Sequence, residues 1–405
     1  MTPDTMRRID YWVGIPLCFL VTIWYRVLRF LGLKNPQYDN NPKRILFIEL
    51  AEMGSTIIAY PAMRKAQELY PDATFYFLLF KQNKATMQVL DVVDAEHTLI
   101  IDASDIISFI RDTLRILIIC RKRKIDTVIN LEMFVRYSTL LSYFSGARKR
   151  VGFFRYFNEG MYIGNFLTHK VPYNNHIHTA HSYIALVRAL TESSSDIPLS
   201  KFSIAEDDIS LPVRHPDTKA KDRVWEILMG INPRVSKTDR LIVINPNASK
   251  LVKMRKWPLE NYAALAKKLS AENGVFIVIT GVEEEREEAE YIAKAVGVER
   301  AINVAGKTSL TELIDLFSLS HALITNDSGP AHFASLTDTP LFVFFGPETP
   351  ALYRPLSQNC TVLYSRFACS PCVSVQNQRR TPCTLNACLQ SIEVEGVFRK
   401  VLEGI

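Results

Sequence analysis

Short apolar, β-rich runs alternate with amphipathic helical stretches along most of this chain, and that alternation leaves few folds open. In the first half, Arg44-Ile-Leu-Phe-Ile-Glu49 reads as a buried strand, and a glycine loop at Met53-Gly54-Ser55 leads into a helical pattern over 57–69. Residues 74–80 read as the next strand and 127–131 as a later one. After a charged linker around 234–239 the cycle restarts, with strand-like runs at 241–245, 275–280, 322–325 and 341–345. Helical runs lie between and after them at 259–270, 283–296, 309–318 and 330–336. Unbroken Val, Ile, Leu and Phe runs separated by helices predict parallel strands covered on both faces, hence two doubly wound α/β domains. The expected division is a hydrophobic segment at 1–34, an N-terminal Rossmann-like domain at 43–235 and a C-terminal one at 239–405. The last carries a cysteine-rich insert at 369–388.

A length of 405 residues suits two such domains, and 48% apolar residues give each a core to bury. The formal charge of +6 is mild and does not by itself indicate nucleic acid; no nucleic-acid partner is expected. The apolar stretch near the N-terminus is not followed by a small-residue cleavage site, so a cytoplasmic, reducing location is expected and structural disulfides are not.

That stretch runs from Tyr11 to Tyr25 between Arg7, Arg8 and Arg26, Arg29, and a polar break follows at 35–42. Fifteen helical residues would span about 22 Å, short of the ~30 Å hydrocarbon layer. Pro16 would also break or kink the helix early. A helix over 17–33 would put Thr22, Arg26 and Arg29 on one narrow stripe. The pattern fits a membrane-associating segment, peripheral or monotopic, with Trp12 and Trp24 at headgroup depth; a helix packed on the protein's own surface, or a full span with snorkelling arginines, stays open.

Three loops in the second half stand where strands end. They are Asn245-Pro-Asn-Ala-Ser-Lys250 through Arg255, Val304-Ala-Gly-Lys-Thr-Ser-Leu310, and Thr325-Asn-Asp-Ser-Gly-Pro-Ala-His332. In doubly wound sheets ligands sit beyond the carboxyl ends of strands, and a helix N-terminus with free N–H groups receives a diphosphate well. Each loop alone could be structural, with Asp327 or Ser328 an N-cap and His332 a core residue.

Together the loops resemble the heptosyltransferases of glycosyltransferase family 9, which act in lipopolysaccharide core biosynthesis. Ala305-Gly-Lys-Thr-Ser-Leu310, Asn326-Asp-Ser-Gly-Pro-Ala-His332, Thr339-Pro340 and Phe345-Gly-Pro347 carry most of the resemblance. Gly54, Tyr60-Pro-Ala-Met-Arg-Lys-Ala66, Tyr70-Pro-Asp-Ala73 and Ser145-Gly-Ala-Arg-Lys-Arg-Val-Gly152 add to it. The resemblance implies a GT-B architecture, two Rossmann-like domains facing a cleft, with the acceptor on the first and the nucleotide sugar on the second. It implies an inverting, metal-independent transfer of a sugar, such as heptose from ADP-heptose, to a lipopolysaccharide or other lipid-linked acceptor. The place would be the cytoplasmic face of the inner membrane, with no cofactor required. By matching positions, Ser249, Lys250 and Arg255 would meet phosphates or sugar, and Asp327, Ser328, Gly329 and His332 would hold the diphosphate and sugar. Gly306, Lys307 and Thr308 would flank the nucleoside, and Glu283 could accept from a ribose hydroxyl.

One loop departs from the family. Its members commonly have a basic residue at the end of strand one and a Gly-Asp pair whose Asp is the base; here Glu49 and Ser55 stand there, and a new acid appears at Glu52. Glu52 is the first candidate for the base and Glu49 the second. The alternatives are a sugar-nucleotide epimerase or hydrolase of the same architecture, or a non-catalytic nucleotide-sugar-binding protein. Cys369, Cys372, Cys383 and Cys388 have spacings compatible with a structural zinc, with free thiols the alternative. His169, His176, His178 and His181 lack a ligand pattern and read rather as acceptor-side contacts.

Overall fold

The structure, a computed structural model, describes residues 1–33, 41–192, 199–248 and 252–405. Most of the polar break at 35–42, with Ser249 and Lys250, therefore falls outside the described residues. The chain divides into two compact units, Met1–Ile209 and Ser210–Ile405.

In the first unit the order is α1 (Pro3–Trp12), α2 (Gly14–Phe30), β1 (Arg44–Ile48), α3 (Met53–Ile58), α4 (Tyr60–Leu69), β2 (Thr74–Phe80) and α5 (Lys84–Leu90). It continues with β3 (Thr98–Ile101), α6 (Ile106–Lys122), β4 (Thr127–Asn130), α7 (Arg136–Phe144), β5 (Lys149–Phe154), β6 (His169–Pro172) and α8 (Thr179–Arg188). The six strands are all parallel, in the order β3-β2-β1-β4-β5-β6.

The second unit runs α9 (Thr218–Ile231), β7 (Arg240–Asn245), α10 (Leu259–Ser270), β8 (Val275–Ile279), α11 (Arg286–Val296), β9 (Ala301–Asn303) and α12 (Leu310–Ser318). Then come β10 (Ala322–Asn326), α13 (Gly329–Ala334), β11 (Leu341–Phe345), α14 (Pro350–Tyr353), β12 (Cys360–Tyr364), α15 (Ala387–Gln390) and α16 (Val394–Glu403). Its strand order, β12-β11-β10-β7-β8-β9, repeats the first sheet. In both, the third-to-fourth strand crossover carries the chain to the far side of the first strand. The reversal points, β1 beside β4 and β7 beside β10, are where such sheets open a crevice at their carboxyl ends. Central strands such as Val275–Ile279 are buried at every residue, as parallel strands covered on both faces must be. Each fully buried Ile, Val or Leu there contributes about 1.5–3 kcal/mol.

The expected first domain of 43–235 is too long. Helix α9 packs on α12 and its buried Val224, Trp225 and Leu228 belong to the second unit, so the division falls before it, not in the charged linker.

The N-terminal segment is two helices that interrupt at Val13. Pro16 sits inside the first turn of α2, where its missing N–H cannot reach back to Trp12, so the break precedes the proline. Gly14 admits the close crossing, since a Cβ there would come within 2.8 Å of Cβ of Arg136. One stripe of α2, at Gly14, Cys18, Val21, Thr22 and Tyr25, packs on Leu140, Tyr143 and Phe166. Thr22 lies at the buried edge of the stripe it shares with Arg26 and Arg29; its hydroxyl donates to Cys18 O (2.6 Å) and accepts from Asn165 N (2.9 Å). The other side stays apolar and exposed: Phe19, Leu20, Ile23, Trp24 (57% exposed), Val27 and Phe30 (91%). By length and composition Pro3–Phe30 is long and apolar enough to cross a membrane. Helix α6 shares the pattern, burying Asp112, Ile116 and Cys120 while Ile107 (75% exposed), Ile110, Leu114 and Ile118 face outward.

Candidate functional site

At the reversal point of the second sheet, the sequence places asparagines where strands end. Asn326 closes β10; its buried amide donates to Pro246 O (2.8 Å) and Asn247 O (3.2 Å) and accepts from Trp257 N (2.9 Å). One side chain thus fixes the loop after β7 and the segment leading to α10. Asn247 itself is 4% exposed, and both polar atoms of its amide lack a hydrogen-bond partner among the described residues. A buried amide left unmade costs free energy, so an unpartnered one at a crevice marks a place for a polar ligand. The sequence reading named this loop but passed over Asn247.

Beside it lies a buried ionic cluster. Arg255 donates to Glu348 Oε1 (2.8 Å) and its Nε stands 3.6 Å from Asp327 Oδ2. Arg379 lies 3.8 Å from the same Glu348 oxygen. Burial raises the Asp327 carboxyl, against the pull of Arg255. Burial also pushes Glu348 up to about 7; Arg255 opposes this and the Asp327 charge reinforces it. For Arg255, burial would lower the guanidinium, but Asp327 and Glu348 outweigh it and the net direction is upward. Asp327, expected at the donor, has its carboxylate facing Arg255. Glu348, just past the Phe345-Gly-Pro347 run, was not singled out, and only its place after β11 could have drawn attention to it.

Ser328 begins α13 in extended backbone, and its hydroxyl donates to Asn326 O (3.1 Å) rather than capping the helix. The first turn of α13, with Gly329, therefore keeps its N–H donors clear of a side-chain cap. His332 is buried within the helix. Glu283 and the Gly306 turn are brought together: Gly306 N donates to Gly281 O (2.9 Å), and Gly306 has φ +72°. A Cβ on Gly306 would press on Glu283, whose Cα would stand 3.0 Å away, and the positive φ itself favours glycine. Lys307 is exposed and Thr308 half-buried in the same turn, ahead of the Ser309–Glu312 capping box of α12.

The reversal point of the first sheet carries acids. Glu49 is buried and accepts from Tyr183 Oη (3.3 Å). Glu52 is half-buried at the start of α3 and accepts from Ser55 Oγ (3.4 Å), so the serine in the family's acid position touches the new acid. The sequence missed a third. Glu132, two residues past β4, accepts from Leu50 N (2.7 Å), and burial raises its carboxyl despite that bond. The pairing of β1 with β4 puts it there, a neighbourhood invisible along the chain.

The four cysteines of the expected zinc site share one neighbourhood, and no zinc is shown there. They are near enough to influence one another, and burial raises the Cys388 thiol, with Cys372, Cys369 and Cys383 adding to it. Yet Thr381 Oγ1 donates to Cys372 Sγ (3.3 Å) and Asn386 N to Cys383 Sγ (3.4 Å). Among the described residues, the ligand atoms that gather within 4.8 Å belong to exposed Asp94 and Glu96 and half-buried His97. All four are free cysteines. The histidines also separate: His169 lies buried in β6, pushed down to about 4 by burial and then by Lys149 and Arg150, while His178 caps α8 through Nδ1.

Comparison with known proteins fits this geometry. A profile of glycosyltransferase family 9 (heptosyltransferase) matches residues 118–381. Lipooligosaccharide heptosyltransferase 2 of Haemophilus influenzae is 30% identical over 186 residues, covering 45% of this chain and 50% of the relative. The aligned stretch thus spans half the length of that protein. Lipopolysaccharide core heptosyltransferase OpsX of the same organism is 22% identical over 335 residues, covering 81% of this chain and 86% of the relative. The solved structure of the Escherichia coli ADP-heptose lps heptosyltransferase II superposes with a TM-score of 0.67 at 20% identity, covering 89% of this chain and 98% of that one. At that identity the likeness speaks for the fold, two six-stranded α/β units of the GT-B kind. With the profile spanning well over half of the sequence, across both units, this chain belongs to glycosyltransferase family 9.

Proposed function

We propose that the protein transfers heptose from ADP-heptose to a lipopolysaccharide or other lipid-linked acceptor, inverting the anomeric centre without a metal. The observation that carries this reading is the β7/β10 crevice, where an unpartnered Asn247 amide, the open start of α13 and the Arg255 cluster converge. Donors fixed before the reaction stabilise a leaving diphosphate as its charge develops. Arg255, held by Asp327 and Glu348, supplies the fixed cation, with Ser249 and Lys250 completing the phosphate contacts. Glu283 accepts from a ribose hydroxyl beside the turn of Gly306, Lys307 and Thr308. Ser328, Gly329 and His332 border the diphosphate and sugar.

In the reaction an acceptor oxygen forms the new bond to the anomeric carbon while the carbon–oxygen bond to phosphate breaks. ADP leaves with the electron pair, and the acceptor proton passes to a carboxylate. Glu52 is the proposed base, with Glu49 and Glu132 beside it. The names of the relatives support the donor and acceptor classes, and lipopolysaccharide heptosyltransferases work at the cytoplasmic side of the inner membrane. The exposed apolar face of α2 supports contact with that membrane surface.

A second reading, binding without turnover, draws on Ser55 standing where the family keeps its acid. Incubation with ADP-heptose and membrane extract separates the two. A new heptoside supports transfer; donor binding with no product supports the second reading, and hydrolysed or isomerised donor overturns both.

A further inference from the structure

A pocket of about 320 Å³ opens in the first unit between α2 and the loop that follows β5. Phe19, Ile23 and Arg26 line it from α2, and Phe154, Arg155 and Tyr162 from the other side. It lies at the carboxyl end of β5, the end of the sheet where ligands of this fold sit. Its floor is tied to α2 by the bond from Asn165 N to Thr22 Oγ1.

The charge around this pocket is one-sided. Arg26 and Arg155 line it, and Lys170 lies over the Phe154 ring with its ammonium 4.5 Å from the centroid. Burial lowers the Lys170 ammonium, and the nearby Arg29 and Arg26 lower it further, which puts four cations in one neighbourhood. Among the described residues neither Arg26, Arg29 nor Lys170 forms an ion pair. The acid nearest in sequence, Glu159, already accepts from the backbone N–H groups of Tyr156 and Phe157 (2.7 Å for the latter), although Arg155 also pulls on it. Cations left without carboxylates around an aromatic pocket repel one another until an anion joins them.

The apolar half of the argument comes from the same helix. Phe19 and Ile23 line the pocket and also belong to the outward face of α2 that continues through Trp24, Val27 and Phe30. A ligand that satisfies both parts carries an anionic group for Arg26 and Arg155 and a hydrocarbon tail lying along that face. Guanidinium groups match phosphate with paired N–H donors.

The geometry points to a binding site for a phosphorylated lipid, its phosphate between Arg26 and Arg155 and its acyl chain along the outer face of α2. This rests on the reading that the first unit works at a membrane surface, and it adds a particular lipid contact to a general apolar one.

Calorimetric titration of the full chain with n-dodecyl phosphate, below its aggregation concentration, tests the site against n-dodecyl maltoside and inorganic phosphate. Dodecyl phosphate is expected to bind, with both controls weaker by at least about tenfold. The double variant Arg26→Ala, Arg155→Ala is expected to weaken dodecyl phosphate by at least about 100-fold, since two hydrogen bonds to a charged group are lost. Equal binding by the double variant, or maltoside binding as tightly as the phosphate, overturns the site. Inorganic phosphate binding as tightly removes the lipid from the proposal and overturns it as well. Thermal stabilisation by ADP, expected in both proteins, shows that the variant is folded. Its absence from the unaltered chain would count against the donor assignment and leave the lipid result standing.

Discussion

The two sheets share one strand order, yet their reversal points hold opposite chemistry. At β7 and β10 a buried guanidinium is clamped by two acids, and open backbone donors stand nearby. At β1 and β4 three glutamates gather, one buried under a tyrosine hydroxyl, one touched by a serine and one accepting a backbone N–H. The same scaffold therefore offers a place for an anion in one unit and for a proton in the other. Strand order fixes where a site can be, and the few residues past the strand ends decide what it can do.

The sharpest way to break this contrast is at the acids. Glu52→Gln keeps size and removes basicity, so kcat is expected to fall about 10²–10⁴-fold with donor affinity and melting temperature little changed. Near-normal turnover there, with the loss appearing in Glu132→Gln or Glu49→Gln, moves the base to that residue. Loss in none of the three would remove proton transfer from the first unit.

The second unit should respond in the other way. Arg255→Met strips the partner from two buried carboxyls and is expected to cost about 3–5 kcal/mol of stability. Chemical denaturation followed by tryptophan fluorescence reads this directly, and stabilisation by ADP should disappear with it. A variant as stable as the parent would mean that the cluster is not a clamp. Asp327→Ala should weaken donor binding less, since Glu348 still holds Arg255 at 2.8 Å.

A third test concerns the exposed face. Phe19→Ser, Trp24→Ser and Phe30→Ser together alter only outward side chains and should move the protein from the membrane to the soluble fraction while leaving ADP binding intact. Unchanged sedimentation would confine membrane contact to other surfaces, such as the outer stripe of α6.

The smallest expected effect is one of pH. The Glu348 carboxyl is raised from 4.5 to about 7, so the folded protein binds this proton more tightly than the unfolded chain does. Its contribution to stability is complete below about 4.5 and is lost as pH rises through 7. A neutral Glu348 also leaves the cluster more positive, so ADP affinity should weaken as pH rises through 7. Titrations at several pH values should show that slope, and Glu348→Gln should flatten it. A flat profile in the unaltered protein would mean that Glu348 keeps one protonation state throughout.

The second unit was the more legible in sequence. Its strands β7, β8, β10 and β11 are unbroken apolar runs, and α10 falls at 259–270 as expected. Strands β9 and β12 escaped notice because one is three residues long and the other, Cys360–Tyr364, is only partly buried. In the first unit β5 begins with Lys149 and Arg150, whose polar character masks a strand that the fold buries. Asn247 and Glu132 eluded the reading for a related reason. Their significance comes from neighbours on another strand, and periodicity along one chain carries no record of those. The outer stripe of α6 was missed as well, because Ile107, Ile110, Leu114 and Ile118 repeat like residues that face a core.

The carboxylate of Asp10 ties the N-terminal helices to α7. From α1 it takes a bond from Arg136 (3.0 Å) and another from Tyr137 N (2.9 Å), and so finishes the first turn of α7. Cutting away an apolar leader is the usual first step toward a protein that is easy to handle. Here the cut would strand a buried guanidinium, uncap a helix four residues beyond Glu132, and bare Leu140, Tyr143 and Phe166 to water. A trimmed enzyme that failed to turn over would then be testimony about damage to its scaffold, and only the whole chain, kept in mild detergent, could speak for its chemistry.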